Sequence, residues 1–308
     1  MSWQNTLYTA LFRLSKWRLS GKDFATAKQI MHAMSDERAA KAAPPAGALT
    51  RAETIDGVAC EWVRDKRVGD SEPRVILYFH GGGFFGGSPA THRAAAHCFS
   101  ASTGMQVLVV DYQLTPEAVF PTQLDEAARV YRALLERGFS NTNIAFAGDS
   151  AGGNMAIAVL KYLQRDGAAL PFASASISPW ADLTHSGDSW QRNRRRDAMV
   201  PQSLLENAAP VYAAATALDD PLVSPVFADL TGLPPLYITA GGEEILLDDA
   251  VRLHANAMRD GVYSELQIWP GLPHAFTSMA SILPEAKTGI EDIARFFERA
   301  QSRCAAEH

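Results

Sequence analysis

Cysteine is scarce in this chain. Its 308 residues contain three, Cys60, Cys98 and Cys304, with no C-x-x-C pair among them. That spacing excludes a zinc knuckle, a thioredoxin-like motif and any readable disulfide framework. Scattered thiols fit a reducing compartment, so a cytoplasmic location is expected. No run approaches the roughly 18 apolar residues of a transmembrane helix, so stable membrane insertion is not expected. A secretory h-region is missing as well, because Arg13, Lys16 and Arg18 interrupt the apolar residues near the N-terminus. Positive charge is not in excess. Lys plus Arg is 28 against 34 Asp plus Glu, a net −6 that argues against a nucleic-acid partner. With 47% apolar and 20% charged residues, the chain is neither disordered nor collagen-like. Internal repeats and low-complexity tracts are absent.

What is present is an alternation. A continuous apolar run at 75–79, and similar runs at 106–110, 144–147, 173–177, 236–240 and 265–269, read as strands of a mostly parallel sheet buried on both faces. Helical patterns near 90–103, 122–137, 152–166, 246–260 and 285–301 fall between them, which predicts βαβ units and a parallel sheet. Ahead of these, two short runs at 50–55 and 58–63 flank Asp56-Gly57, a hairpin signal. Residues 1–46 read as helical. Trp3, Leu7, Leu11 and Leu14, with Trp17 close behind, recur at helical spacing; such an amphipathic helix could cover a hydrophobic pocket or lie on a membrane surface, and docking on the protein itself is the expectation. Residues 181–222 break the rhythm: Arg192, Arg194, Arg195 and Arg196 precede one helical stretch near 202–212, as in an insertion after a strand end.

Two glycine-rich motifs carry chemistry. Gly148-Asp149-Ser150-Ala151-Gly152 follows an apolar strand and opens a helix. In that setting G-x-S-x-G makes a tight turn that exposes a serine hydroxyl above the C-terminal edge of a sheet. The helix N-terminus adds a positive dipole where negative charge would develop. His80-Gly81-Gly82-Gly83 directly follows the strand at 75–79. Glycines there turn backbone N–H groups inward, and a tetrahedral oxyanion needs such donors. Ala151, after the serine, would supply another donor. His80 reads as a buried anchor of the loop.

A base and an acid should follow the serine in the order Ser…Asp/Glu…His. His274 sits in a Pro/Gly-bounded loop after the last strand. His254 lies in a helical pattern and His308 at the terminus. Three carboxylates compete for the acid, Glu243, Glu244 and Asp248, and spacing does not choose between them.

Together, His80–Gly83, Gly148–Gly153, Asp111-Tyr112-Gln113-Leu114-Thr115-Pro116-Glu117, Ser178-Pro179-Trp180 and Asp220-Pro221-Leu222-Val223-Ser224-Pro225 resemble the bacterial hormone-sensitive-lipase-like carboxylesterases of the α/β-hydrolase superfamily. The segments 242–249 and 271–276 complete the likeness, which covers essentially the whole chain. It implies an α/β-hydrolase fold, a mostly parallel central sheet flanked by helices, with a helical cap. It aligns Glu244-Ile245-Leu246-Leu247-Asp248 with the family's D-x-L-x-D, so Glu244 stands where an Asp is usual and Asp248 becomes a supporting carboxylate. The family's DYRLAPE reads DYQLTPE here, a change expected to leave the chemistry intact.

The resemblance further implies that Gly82 and Gly83 donate to the oxyanion together with Ala151. It implies a discontinuous cap from residues 1–46 and 181–222 around a core of 47–180 and 223–308, in place of the two domains that length alone suggests. Phe84, Phe85, Trp180 and Leu204 become candidates for the pocket wall. A homodimer through the edge strand from Glu265 to Trp269 is a further expectation. The function so implied is serine-dependent hydrolysis of short-chain acyl esters by Ser150, His274 and Glu244, with no metal or cofactor. A lactonase, amidase or peptidase on the same machinery is the near alternative, and a non-catalytic small-molecule receptor or an interfacially activated lipase the remote ones.

Overall fold

The computed structural model describes residues 2–307. Met1 and His308, the outer ends of the first and last segments expected from sequence, lie outside the described residues. The chain opens with helices α1 (Trp3–Leu19) and α2 (Phe24–Met31), a π-helical turn (His32–Asp36) and α3 (Glu37–Lys41). Strands β1 (Ala48–Ile55) and β2 (Val58–Asp65) form a hairpin. Asp56 and Gly57 both take positive φ, 45° and 77°, as a two-residue hairpin turn requires.

Then come β3 (Val75–Phe79), α4 (Pro89–Thr103), β4 (Gln106–Val110), α5 (Thr122–Glu136), β5 (Ile144–Asp149), α6 (Ala151–Arg165) and β6 (Ala173–Ile177). After β6 follow α7 (Ser189–Arg192) and α8 (Gln202–Ala213), and then β7 (Leu236–Gly241), α9 (Leu247–Arg259), β8 (Ser264–Trp269) and α10 (Pro284–Glu307). The eight strands make one sheet in the order β1-β2-β4-β3-β5-β6-β7-β8. The pairs β1–β2 and β2–β4 are antiparallel; β4, β3, β5, β6, β7 and β8 pair in parallel.

The continuous apolar runs are explained by two cores, one on each face. In β3, Val75, Leu77 and Phe79 enter the cluster that packs on α5, α6 and α9, while Ile76 and Tyr78 enter the cluster under α4 and α10. Successive strand residues point to opposite faces, so both parities must be apolar. β8 is the free edge on one side, hydrogen-bonded to β7 alone.

The N-terminal helices and the 181–222 segment are tied together. Lys16 Nζ donates to the carbonyls of Arg194 (3.2 Å) and Asp197 (2.7 Å), Gly21 N–H to Ser203 Oγ (3.2 Å), and Asn207 Nδ2 to the Lys22 carbonyl (3.2 Å).

One expectation is overturned. The Trp3-Leu7-Leu11-Leu14-Trp17 face of α1 does not dock on the protein; all five side chains are exposed. The helix carries a second apolar face, and that one is used: Leu19 is buried, and Tyr8 and Phe12 pack against the core beneath α10. Among the described residues no helix is long and apolar enough to cross a membrane.

Candidate active site

The sheet register brings the glycine motifs together. Phe79 at the end of β3 pairs with Gly148 of β5, so the loop leaving β3 and the turn leaving β5 lie side by side. Ser150 occupies that turn at φ 57° and ψ −118°, backbone space that a non-glycine residue enters only under strain. The turn is held by Ser150 N–H donating to the Ile177 carbonyl (2.9 Å). Helix α6 then presses against the end of β3. A Cβ on Gly152 would lie 1.9 Å from the Phe79 carbonyl oxygen, so only glycine fits there.

A continuous hydrogen-bonded chain starts at the serine. His274 Nε2 is 2.9 Å from Ser150 Oγ, and His274 Nδ1 is 2.8 Å from Glu244 Oε2. Glu244 and His274 are buried and Ser150 is nearly so. The other Glu244 oxygen, Oε1, accepts from the Gly241 N–H and from Ser178 Oγ (2.6 Å). Ser178 Oγ in turn accepts the N–H of Ala275 (3.0 Å), next to the histidine. The competing carboxylates point elsewhere: Glu243 pairs with Arg196 (3.0 Å), and Asp248 with Arg192 (2.8 Å) and the Ser189 N–H (2.8 Å). His254 bonds Ser264 Oγ (2.9 Å), away from the chain. Burial opposes a charge on His274, but the facing Glu244, with Asp197 and Asp149 farther off, outweighs it and holds the imidazole pKa above its ordinary value.

The His80–Gly83 loop supplies free donors. Gly81 N–H is engaged by His92 Nε2 (3.3 Å), whereas no acceptor among the described residues engages the N–H of Gly82, Gly83 or Ala151. Gly82 takes φ +124°, and a Cβ there would lie 2.1 Å from the Gly86 carbonyl oxygen. His80 is fully buried, stacked on Tyr112 at 4.2 Å, with Nδ1 2.9 Å from the Gly81 carbonyl. Burial first and His92 second push its pKa down to about 3, so it stays neutral. Beneath the loop, Asp149 Oδ1 accepts from Tyr78 Oη (2.8 Å) and lies 3.3 Å from His92 Nε2.

Ser150 and His274 open into a cavity of about 400 Å³. Phe12 and Leu19 of α1, Met31 and Met34 of the next helical segment, and Phe85 and Leu204 are among its walls. Phe84 and Trp180, expected at the wall, lie behind it. Phe84 has φ 67° and stacks on Tyr212 at 3.6 Å; Trp180 stacks on His185 at 5.9 Å, and both are fully buried. In the DYQLTPE segment, Gln113 bonds Glu126 (2.6 Å) and Thr115 bonds the Phe84 carbonyl (3.2 Å), outside the cavity wall.

Comparison with known proteins gives the chain's family. The profile of the alpha/beta hydrolase fold matches residues 76–278. An acetyl-hydrolase from Streptomyces hygroscopicus is 38% identical over 247 residues, covering 80% of this chain and 82% of that protein. A crystal structure of an esterase from the bacterial hormone-sensitive lipase family superposes with a TM-score of 0.90 at 33% identity, covering 98% of this chain and 99% of that one. The chain belongs to the hormone-sensitive-lipase-like esterases of the α/β-hydrolase fold. A further family structure, EstE5 soaked with ethyl alcohol, gives a TM-score of 0.91 at 32% identity over 98% of this chain and 100% of that one.

Within this esterase, three contributors to the site escaped sequence reasoning: Ser178, His92 and Asp197. Asp197 Oδ2 accepts the N–H of Ile245 (3.0 Å), the residue after Glu244, while Oδ1 accepts from Met199 and Val200 (both 2.8 Å). Ser178 stood in a quoted motif, Ser-Pro-Trp, without a role. His92 and Asp197 carried no local signal at all.

Proposed function

We propose that this esterase hydrolyses short-chain acyl esters through Ser150, His274 and Glu244, with an oxyanion hole made by Gly82, Gly83 and Ala151. The observation that carries the proposal is the unbroken chain from Ser150 Oγ through both His274 nitrogens to Glu244, with Ser150 and His274 lining a cavity of about 400 Å³. Ser150 Oγ attacks the ester carbonyl carbon while His274 Nε2 takes its proton. The oxyanion that forms is met by N–H groups that no protein acceptor engages. Collapse expels the alkoxide, which recovers the proton from His274. Water, deprotonated by the same nitrogen, then attacks the acyl-enzyme and releases the acid. Glu244 holds the imidazole with Nδ1 protonated and stabilises the imidazolium.

Short acyl chains are favoured by the cavity's size, which sits near the lower end of the roughly 300–1,000 Å³ typical of small-ligand sites. The name acetyl-hydrolase borne by one relative points the same way. We assign residues 1–46 and 181–222 to a cap, because Phe12, Met31 and Leu204 from both segments wall the same cavity. A cytoplasmic location and a homodimer through the free edge β8 belong to the same reading; sedimentation as a monomer at every concentration would remove the dimer.

The test is a p-nitrophenyl ester series from acetate to decanoate, with Ser150→Ala as control. We expect kcat/KM to peak at the short esters and to fall roughly tenfold or more at decanoate. Unchanged turnover in the control sinks the nucleophile, and a rate rising through decanoate sinks the short-chain assignment. Faster cleavage of matched lactones or anilides than of esters would move the substrate class.

A further inference from the structure

The exposed face of α1 has no role in the reaction described above. At 100° per residue, Trp3, Leu7, Leu11, Leu14 and Trp17 fall within an arc of roughly 120°. Trp3 and Trp17 are 72% and 75% exposed, and the three leucines about half. The arc points directly away from the face on which Phe12 and Leu19 meet the cavity. One helix therefore walls the active-site cavity on one side and offers two tryptophans and three leucines to solvent on the other.

Charge around the stripe is of one sign. Residues 1–22 hold Arg13, Lys16, Arg18 and Lys22 and no Asp or Glu. Arg13, Arg18 and Lys22 are exposed, and Lys16 binds α1 to the segment where Arg194 and Arg195 are exposed. Over residues 1–46 there are seven Lys or Arg against three Asp or Glu, so this segment is +4 in a chain of net −6. The remainder, residues 47–308, holds 21 Lys or Arg against 31 Asp or Glu and is net −10.

We propose that α1 is a reversible docking surface for an anionic lipid–water interface. Leucines flanked along the axis by tryptophans, with Arg13 beside the arc and Arg18 at its C-terminal end, form the pattern of a helix that lies in the headgroup layer. Anionic headgroups answer Arg13, Arg18, Lys22, Arg194 and Arg195 together. A second copy of the chain fits less well. A two-fold contact sets the same patch against itself, and α1 has no acid to answer its own cations. Docked this way, the esterase would hold the helix that walls its cavity against the lipid surface. The docking itself does not depend on the esterase reading, and its test reads binding instead of turnover.

The test is co-sedimentation of the full chain with vesicles of phosphatidylcholine alone or mixed equally with phosphatidylglycerol. The same assay is run on Leu7→Gln/Leu14→Gln and on Arg13→Gln/Arg18→Gln, all at solvent-facing positions. Rate on a soluble acetate ester, expected unchanged, reports that both variants fold. We expect the native chain to partition roughly tenfold or more better onto the anionic vesicles. Each variant should lose most of that gain, and high salt should weaken the native binding. Equal partition onto neutral and anionic vesicles, or undiminished binding by the leucine variant, would overturn the proposal. So would a dimer that the leucine variant abolishes while no vesicle is bound, because the stripe would then belong to a second copy.

Discussion

Ser178 Oγ lies 2.6 Å from Glu244 Oε1 and donates to it, while the same oxygen accepts the N–H of Ala275 beside His274. One buried hydroxyl thus fixes both the carboxylate and the loop that carries His274. Removing it leaves one carboxylate oxygen short of a charged hydrogen bond, an interaction worth about 1.5–3 kcal/mol. Ser178→Ala should lower kcat roughly ten- to a hundredfold with KM little changed. Steady-state kinetics on a short ester check this; an unaltered kcat would show that Ser178 does not position the pair.

Glu244 sits between two other acids in the chain, and the three should respond very differently. Glu244→Gln removes the charge that stabilises the imidazolium and should cost about 10,000-fold in kcat. Glu243→Gln breaks only a half-exposed pair with Arg196, and Asp248→Asn a pair with Arg192. Both should remain within roughly tenfold of the native rate. A large loss at Glu243 or Asp248 with a mild one at Glu244 would reassign the acid.

The pH profile follows from the sign of one shift. In the proposed mechanism His274 must be neutral to take the serine proton, and its pKa is raised by Glu244, Asp197 and Asp149 against the opposing effect of burial. Activity is therefore present above that pKa and lost as pH falls through it. The acid limb of kcat/KM should have its midpoint above 6.5, the ordinary imidazole value. Asp197→Asn removes one of the charges that raise the pKa, so the midpoint should move to lower pH. A midpoint below 6.5 in the native enzyme, or an upward move in the variant, contradicts this account of the base.

Gly152→Ala should fail at the fold itself. The added Cβ would sit 1.9 Å from a main-chain carbonyl in β3, where neither partner is a flexible side chain. We expect insoluble protein or a large drop in Tm, read by thermal denaturation. Native stability in that variant would mean that α6 can retreat from the sheet.

Much of this was legible beforehand, for identifiable reasons. β3, β4 and β6 have the bounds that their runs predict, because strands buried on both faces admit apolar residues or small polar ones with a partner; Ser174 and Ser176 of β6 are buried and donate to the Ala156 and Gly153 carbonyls. Ser150 and the His80–Gly83 loop were legible because close backbone approach leaves no alternative to glycine. The carboxylate that meets His274 was not legible from spacing, since Glu243 and Glu244 are neighbours that differ only in the direction they face. The same holds for Phe84 and Phe85: a positive φ at the first turns its ring into the core and leaves the second at the cavity. Ser178 reaches Glu244 across 66 residues and Asp197 reaches Ile245 across 48, separations that no local pattern encodes. On α1 the sequence offers two apolar stripes: the five-residue one stays exposed, and Tyr8, Phe12 and Leu19 form the second, which is the one in contact.

The central claim is that Ser150 is an activated nucleophile, and covalent labelling tests it most directly. The folded chain is treated with a small alkyl p-nitrophenyl phosphonate, digested and mapped by mass spectrometry. The account predicts one stoichiometric adduct, on the peptide carrying Ser150, absent in Ser150→Ala and much slower in His274→Ala. A folded protein that takes no label, or takes it elsewhere, contradicts the account.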